Sequence, residues 1–197
     1  MQIAVLTGDL INSRNSSPEK WIGVLKFILN RFGKTPKIWE LYRGDSFQLE
    51  TELKDALLAA LMIKAHLKSH ANLEVRIAIG IGRKDYDAQK ITESNGSAFI
   101  NSGHCFENLK KNTLAIQTEK PELNTTLNLM FQLASVTIDS WTPAVAELIE
   151  LALKYPDYNQ RQIAEVLKTT QSNVSQGLKR GGYDELTKLL NYYKAQI

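Results

Sequence analysis

An α+β fold is predicted, a ferredoxin-like βαββαβ unit extended by one more αβ step and followed by a small all-α domain. Three observations carry this reading. Strand-like and helix-like patterns alternate as β-α-β-β-α-β-α-β up to Gln117. A turn signal, Arg43-Gly44-Asp45, joins two of the strands directly, as a split βαβ arrangement requires. After Pro121 the texture becomes helical, with one ambiguous apolar stretch at Ala134 to Ile138.

Taken in order, Gln2 to Leu6 reads as a short buried strand closing at Gly8-Asp9. Ser16, Ser17 and Pro18 open a helix, with Ser as N-cap and Pro in the first turn, and Gly33 ends it. Lys37 to Tyr42 and Ser46 to Thr51 form the hairpin. Leu53 to His70 is an amphipathic helix, and Leu73 to Gly82 a strand with Val75, Ile77, Ile79 and Ile81 on one face. Arg83 to Ser94 is a polar loop, Ser97 to Leu109 a helix, and Thr113 to Gln117 a last strand. This order places the helices on one face of the sheet. Leu123 to Leu133 is a connecting helix, and Pro143 opens another that runs through Lys154. The boundary falls near Ser140, giving residues 1–140 and 141–197.

Composition narrows the class. The chain has 197 residues, 43% of them apolar and 23% charged, a balance that excludes disorder. The longest apolar run, Ala56 to Ile63, falls far short of the roughly 20 residues of a membrane span. Met1 to Leu10 has no basic start, so no signal peptide is expected. The single cysteine, Cys105, cannot form an internal disulfide, which fits a reducing cytoplasm. The net charge of +3 is unevenly placed. Residues 1–150 hold 17 basic and 17 acidic side chains, whereas residues 151–197 hold seven basic and four acidic. An anionic partner for the C-terminal segment follows from that asymmetry.

That segment reads NQRQIAEVLKTTQSNVSQGLKR from Asn159 to Arg180. Ile163, Ala164 and Leu167 share one helical face, and Val174 and Leu178 share the face of a second helix that Thr170 is able to cap. Small Ala164 allows the two helices to cross closely, as a helix-turn-helix requires. The second helix presents Gln171, Ser172, Asn173, Ser175 and Gln176 outward, residue types suited to base edges in the major groove. Lys179 and Arg180 suit phosphates. Lys168 stands where such motifs often carry glycine. A helical hairpin used only for packing or dimerisation is the alternative. Because a lone helix-turn-helix binds weakly, a homodimer is expected.

In the first domain, Asp9 ends one strand and Asp45 sits in the neighbouring hairpin turn. Two carboxylates with the Leu10 backbone carbonyl suit a hard cation such as Mg²⁺ holding a phosphorylated ligand. Gly8 and Gly44 would let a phosphate approach the backbone. Asn12, Ser13, Arg14 and Arg43 flank the same place. Ordinary turn chemistry for both Gly-Asp pairs is the competing reading.

Tyr42 to Gln48 (YRGDSFQ) resembles the hairpin signature of nucleotide cyclase and diguanylate cyclase palm domains, and Arg76 to Gly82 (RIAIGIG) resembles their following strand. A closer resemblance is to the SatD family. It rests on GDLINS at 8–13, GDSFQ at 44–48, RIAIGIG at 76–82, NGSAF at 95–99 and a terminal helix-turn-helix, and it covers nearly the whole chain. The resemblance implies a cyclase-like palm fused to a DNA-binding module, a transcriptional regulator with Asp9 and Asp45 on a metal. Two departures bear on catalysis. Ser46 replaces a frequent second acid, and Asn101 to Asn108 holds His104 but no arginine to clamp a triphosphate. A nucleotide or phosphorylated ligand is therefore expected to be sensed. The alternatives are an Mg-dependent nucleotidyl cyclase, or a degenerate palm kept as a dimerisation scaffold.

Other residues read as structural. His66 and His70, spaced i, i+4, are assigned to a solvated helix flank for want of a third ligand nearby in sequence. Trp21, Trp39 and Trp141 are assigned to packing. Arg83, Lys84 and Lys90 could reach phosphates from their loop, offset by Asp85, Asp87 and Glu93.

Overall fold

A computed structural model describes residues 1–13 and 17–197. The strands are β1 (Gln2–Ile11), β2 (Trp39–Tyr42), β3 (Ser46–Thr51), β4 (Glu74–Arg83) and β5 (Leu114–Gln117). The helices are α1 (Pro18–Leu29), α2 (Ala56–Ala71), α3 (Ser97–Glu107), α4 (Pro121–Ile138), α5 (Pro143–Lys154), α6 (Gln160–Val166), α7 (Gln171–Gly181) and α8 (Tyr183–Gln196). One sheet runs β2-β3-β1-β4-β5, antiparallel except for the parallel β4–β5 edge. That is the expected βαββαβ order with one further αβ step.

Side-chain alternation divides the sheet. Ala4, Leu6 and Leu10 of β1, with Val75, Ile77, Ile79 and Ile81 of β4, join the large core under α1 and α2. The opposite residues Ile3 and Val5 pack with Ala98 and Phe99 of α3. Helices thus cover both faces, not one. The sequence carries the reason in the small residues of β4: a Cβ on Gly80 would lie 2.1 Å from the Ser102 amide nitrogen, so α3 rests directly on the strand backbone.

Several elements depart from expectation. β1 continues to Ile11, because its pairing with β4 persists to Ile11 opposite Glu74, and Asp9 lies within the strand. α1 closes at Leu29, four residues before Gly33. Ser16, a proposed cap, lies outside the described residues, and the Ser17 side chain makes no capping bond. The loop after β4 is packed down, with Ile91 and Ala88 buried and Tyr86 bridged to Asn95. Lys84 there is held by Glu50 and Asp87, both at 2.7 Å. The ambiguous stretch 134–138 is the last turn and a half of α4.

The largest departure is α2. It is apolar around nearly its whole circumference, with Ala56, Leu57 and all residues from Ala59 to Leu67 buried, because the sheet, α1 and α5 enclose it. His66 is accordingly a core residue and not a solvated flank. Its Nδ1 lies 2.8 Å from Glu150 Oε1 of α5. Burial alone would raise the Glu150 carboxyl, but the bonds and charge of His66, the charge of His70 and the Ser69 hydroxyl outweigh it and hold the pKa below its usual value. Lys64, also buried, donates to the Val75 carbonyl at 2.9 Å and pairs with Asp139 at 3.2 Å. Burial pushes its ammonium pKa down.

The core does not stop at residue 140. Val145, Ile149, Leu178, Leu186 and Tyr193 belong to the same buried cluster as Leu6 and Ile79. Trp141 donates to the Gly181 carbonyl at 3.1 Å, and Tyr193 to the Leu53 carbonyl at 2.7 Å. At the β5 edge, Asn128 of α4 bonds both the amide and the carbonyl of Ile116, each at 2.8 Å. Asn124 does the same to Thr118 at 2.8 and 3.0 Å.

Candidate functional sites

The β2–β3 turn is built by residues 43–45, with Arg43 at φ +51° and Gly44 at φ +95°. Both occupy the left-handed region that a tight hairpin demands. Tyr42 pairs with Ser46 across the turn, and Ser46 lies opposite Asp9 of β1. Asp45 is therefore next in chain to the residue facing Asp9. Its carbonyl accepts from the Leu10 amide at 3.4 Å, and its carboxylate accepts from the buried Ser13 hydroxyl. Asp9, Leu10, Ser13 and Asp45 thus gather at one corner of the sheet, with Arg43, Gly44 and Asn12 exposed beside them.

Arg76, opposite Asp9 in β4, was not singled out as a site residue from the sequence. Its Nη2 lies 3.0 Å from Asp9 Oδ2, and its guanidinium stacks 5.1 Å from the Phe106 ring centroid. Ser46 reaches the other Asp9 oxygen at 3.4 Å. The signal is present in the sequence: Arg76 is the charged residue within the apolar run from Val75 to Gly82, on the face opposite Ile77. What the sequence lacked was the register that sets it against Asp9. The Tyr42 hydroxyl is raised chiefly by burial and lowered by Arg43, with the Asp9 charge adding to the rise.

Other expected ligand contacts fall differently. A Cβ on Gly8 would lie 2.3 Å from the Phe47 ring, so this glycine makes room for a core aromatic. Arg14 lies outside the described residues. The oxygen donor set of Asp9 and Asp45 is of the hard type that Mg²⁺ prefers, and Asp9 shares its charge with Arg76.

In the C-terminal segment, Asn159 caps α6 through a capping box with Gln162, and Thr170 caps α7 by accepting from the Asn173 amide. Lys168, in the turn between them, adopts φ +50°, the conformation for which glycine is favoured. Val174, Gly177, Leu178 and Gly181 face inward, and a Cβ on Gly181 would lie 2.6 Å from Ile149 of α5. Gln171, Ser172, Asn173, Ser175, Gln176, Lys179 and Arg180 are all exposed. A groove of about 1190 Å³ is lined by residues of α4, α6, α7 and α8, Lys179 and Arg180 among them. Leu129, Leu133 and Val136 of α4 are exposed at helical spacing beside it.

Among the described residues, no helix is long and apolar enough to cross a membrane. No family model matches the chain, and no curated protein matches it. Among solved structures, the active GGEEF domain of a diguanylate cyclase from Vibrio cholerae is similar over 61% of this chain and 84% of that one, with 14% identity and a TM-score of 0.40.

Proposed function

We propose that this chain is a cytoplasmic DNA-binding transcriptional regulator of the SatD type, reading DNA with α7 and sensing a phosphorylated ligand at the Asp9–Asp45 corner. The observation that carries the DNA reading is the division of α7. Its apolar and glycine positions seat it on α5, while seven polar or basic residues are exposed on the remaining surface. Seven such residues on a capped helix after a tight turn form the polar tip of a helix-turn-helix. Gln171 and Asn173 lie in the first turn, suited to adenine edges, and Lys179 and Arg180 neutralise phosphates. The exposed apolar row of α4 beside α7 supports a homodimer with two reading helices.

A salt titration tests this. Lys179→Ala with Arg180→Ala should weaken binding to all duplexes and reduce the slope of log affinity against log salt by about 2. Saturation should require two chains per palindromic duplex. An unchanged slope removes the phosphate contacts.

For the ligand, Asp45, Ser13 and Asp9 would hold an Mg²⁺ that supplies positive charge to a nucleotide phosphate, and Arg76 adds a cation on the same row. The Asp9–Arg76 pair, neutral without any ion, favours a second reading, in which the palm is only a scaffold. Calorimetry with Mg²⁺ and a nucleotide panel separates the two. Ligand heat in the wild type should vanish in Asp45→Asn, and the scaffold reading stands if neither protein gives heat.

A further inference from the structure

We propose that His66, His70 and Glu150 form a binding site for zinc or a similar first-row divalent cation, which ties α2 to α5. His66 and His70 lie one turn apart on α2, and Glu150 comes from the helix packed against it. Their donor atoms all lie within 4.8 Å of one another. The glutamate offers one oxygen to each ring: Oε1 is 2.8 Å from His66 Nδ1, and Oε2 is 3.6 Å from His70 Nδ1. Ligands bound at zinc distances around a tetrahedral ion are about 3.4 Å apart, so these two separations bracket a coordination edge.

The surroundings suit a metal site. Ser69 donates to Glu150 Oε2 at 3.2 Å, a contact that orients the glutamate. Phe27 stacks on His66 at 5.3 Å, which restricts the rotation of that ring, whereas the two imidazoles, stacked at 4.2 Å and 29° apart, would tilt to bring both lone pairs onto one ion. The side chains of His66 and Glu150 are 4% and 12% exposed, and that of His70 is 47% exposed. One edge is therefore open for the ion to enter and keep a water as fourth ligand. Charge favours a cation. A single divalent ion satisfies the glutamate charge and both ring nitrogens at once.

Two nitrogens and a carboxylate select zinc, cobalt, nickel or copper over magnesium. The site is thus chemically distinct from the Asp9–Asp45 corner and independent of the function proposed for it. The intervening residues Leu67, Lys68 and Ser69 hold no acid to serve as the general base of a helix-borne hydrolytic site. The ion would clamp two helices.

Cobalt(II) titration of the full metal-free chain tests this. One equivalent should develop the visible absorption of four- or five-coordinate cobalt, zinc should displace it, and excess Mg²⁺ should not. His70→Gln, changed at the open edge, should keep its far-UV dichroism while losing at least about tenfold in zinc affinity, and Glu150→Gln should lose as much. Zinc should raise the melting temperature of the wild type and not of His70→Gln. Asp45→Asn should bind zinc as the wild type does. The proposal is overturned if the wild type shows no saturable cobalt or zinc binding, or if both ligand variants bind as tightly as the wild type.

Discussion

The turn between α6 and α7 holds a lysine in a backbone conformation that glycine favours. Lys168 stood out as a departure because the turn pattern calls for glycine, and its φ of +50° shows that the backbone indeed takes glycine's conformation there. A side chain in that region costs about 1 kcal/mol or more. Lys168→Gly should therefore raise the unfolding free energy by about 0.5–1 kcal/mol, read as a higher urea midpoint at constant slope. A lower midpoint would show that the lysine stem contributes packing that outweighs the strain. Local features of this kind, including the Thr170 cap and the Arg43-Gly44 turn, were legible because their causes lie within four residues. Arg76 and His66 were not. The partner of Arg76 is fixed by strand register and lies 67 positions away, and the third donor beside His66 lies 84 positions away.

Elements were read well where periodicity was strong and less well where an element faces two neighbours. The apolar face of β4 is legible as Val75, Ile77, Ile79 and Ile81, whereas its other face, Ala78, Gly80 and Gly82, carries no apolar pattern to announce a partner. Those residues are the bed of α3, since Gly80 would place a Cβ 2.4 Å from the Ala98 carbonyl oxygen and Gly82 one 2.5 Å from the Ala98 nitrogen. Backbone on both sides cannot yield as a side chain can. Gly80→Ala should cost about 3 kcal/mol, at the upper end for overpacking. Gly103→Ala on the outer side of α3, where nothing lies within 4 Å, should instead stabilise by about 0.5–1 kcal/mol. Chemical denaturation of both variants checks the contrast, and equal effects would contradict the seating of α3. The sequence predicts an amphipathic α2 with His66 and His70 on a solvated flank. Lys64 and His66 are instead buried polar groups whose partners come from β4, the end of α4 and α5.

For the whole molecule, the continuous core from the sheet to α8 has a thermodynamic consequence. Tyr193 anchors the last helix to Leu53, three residues ahead of α2, and Trp141 ties the end of α7 to the loop after α4. Such cross-links favour one cooperative transition. Tryptophan fluorescence and far-UV dichroism should give superimposable urea curves, and Tyr193→Phe should shift both together by about 1 kcal/mol. Two separated transitions would mean that residues 141–197 unfold alone. The parts of this architecture legible in sequence are the strand order and the helical tail; the shared core was not, because composition marks a change of texture and not what packs across it. The asparagines along β5 bear on a different matter, the behaviour of the protein at high concentration. An edge strand invites another chain to extend its sheet. Here the Ile116 and Thr118 backbone groups are already occupied by Asn128 and Asn124, so an incoming strand would have to displace two paired amide contacts before gaining any of its own. Growth of the sheet into fibrils is thereby disfavoured at this border.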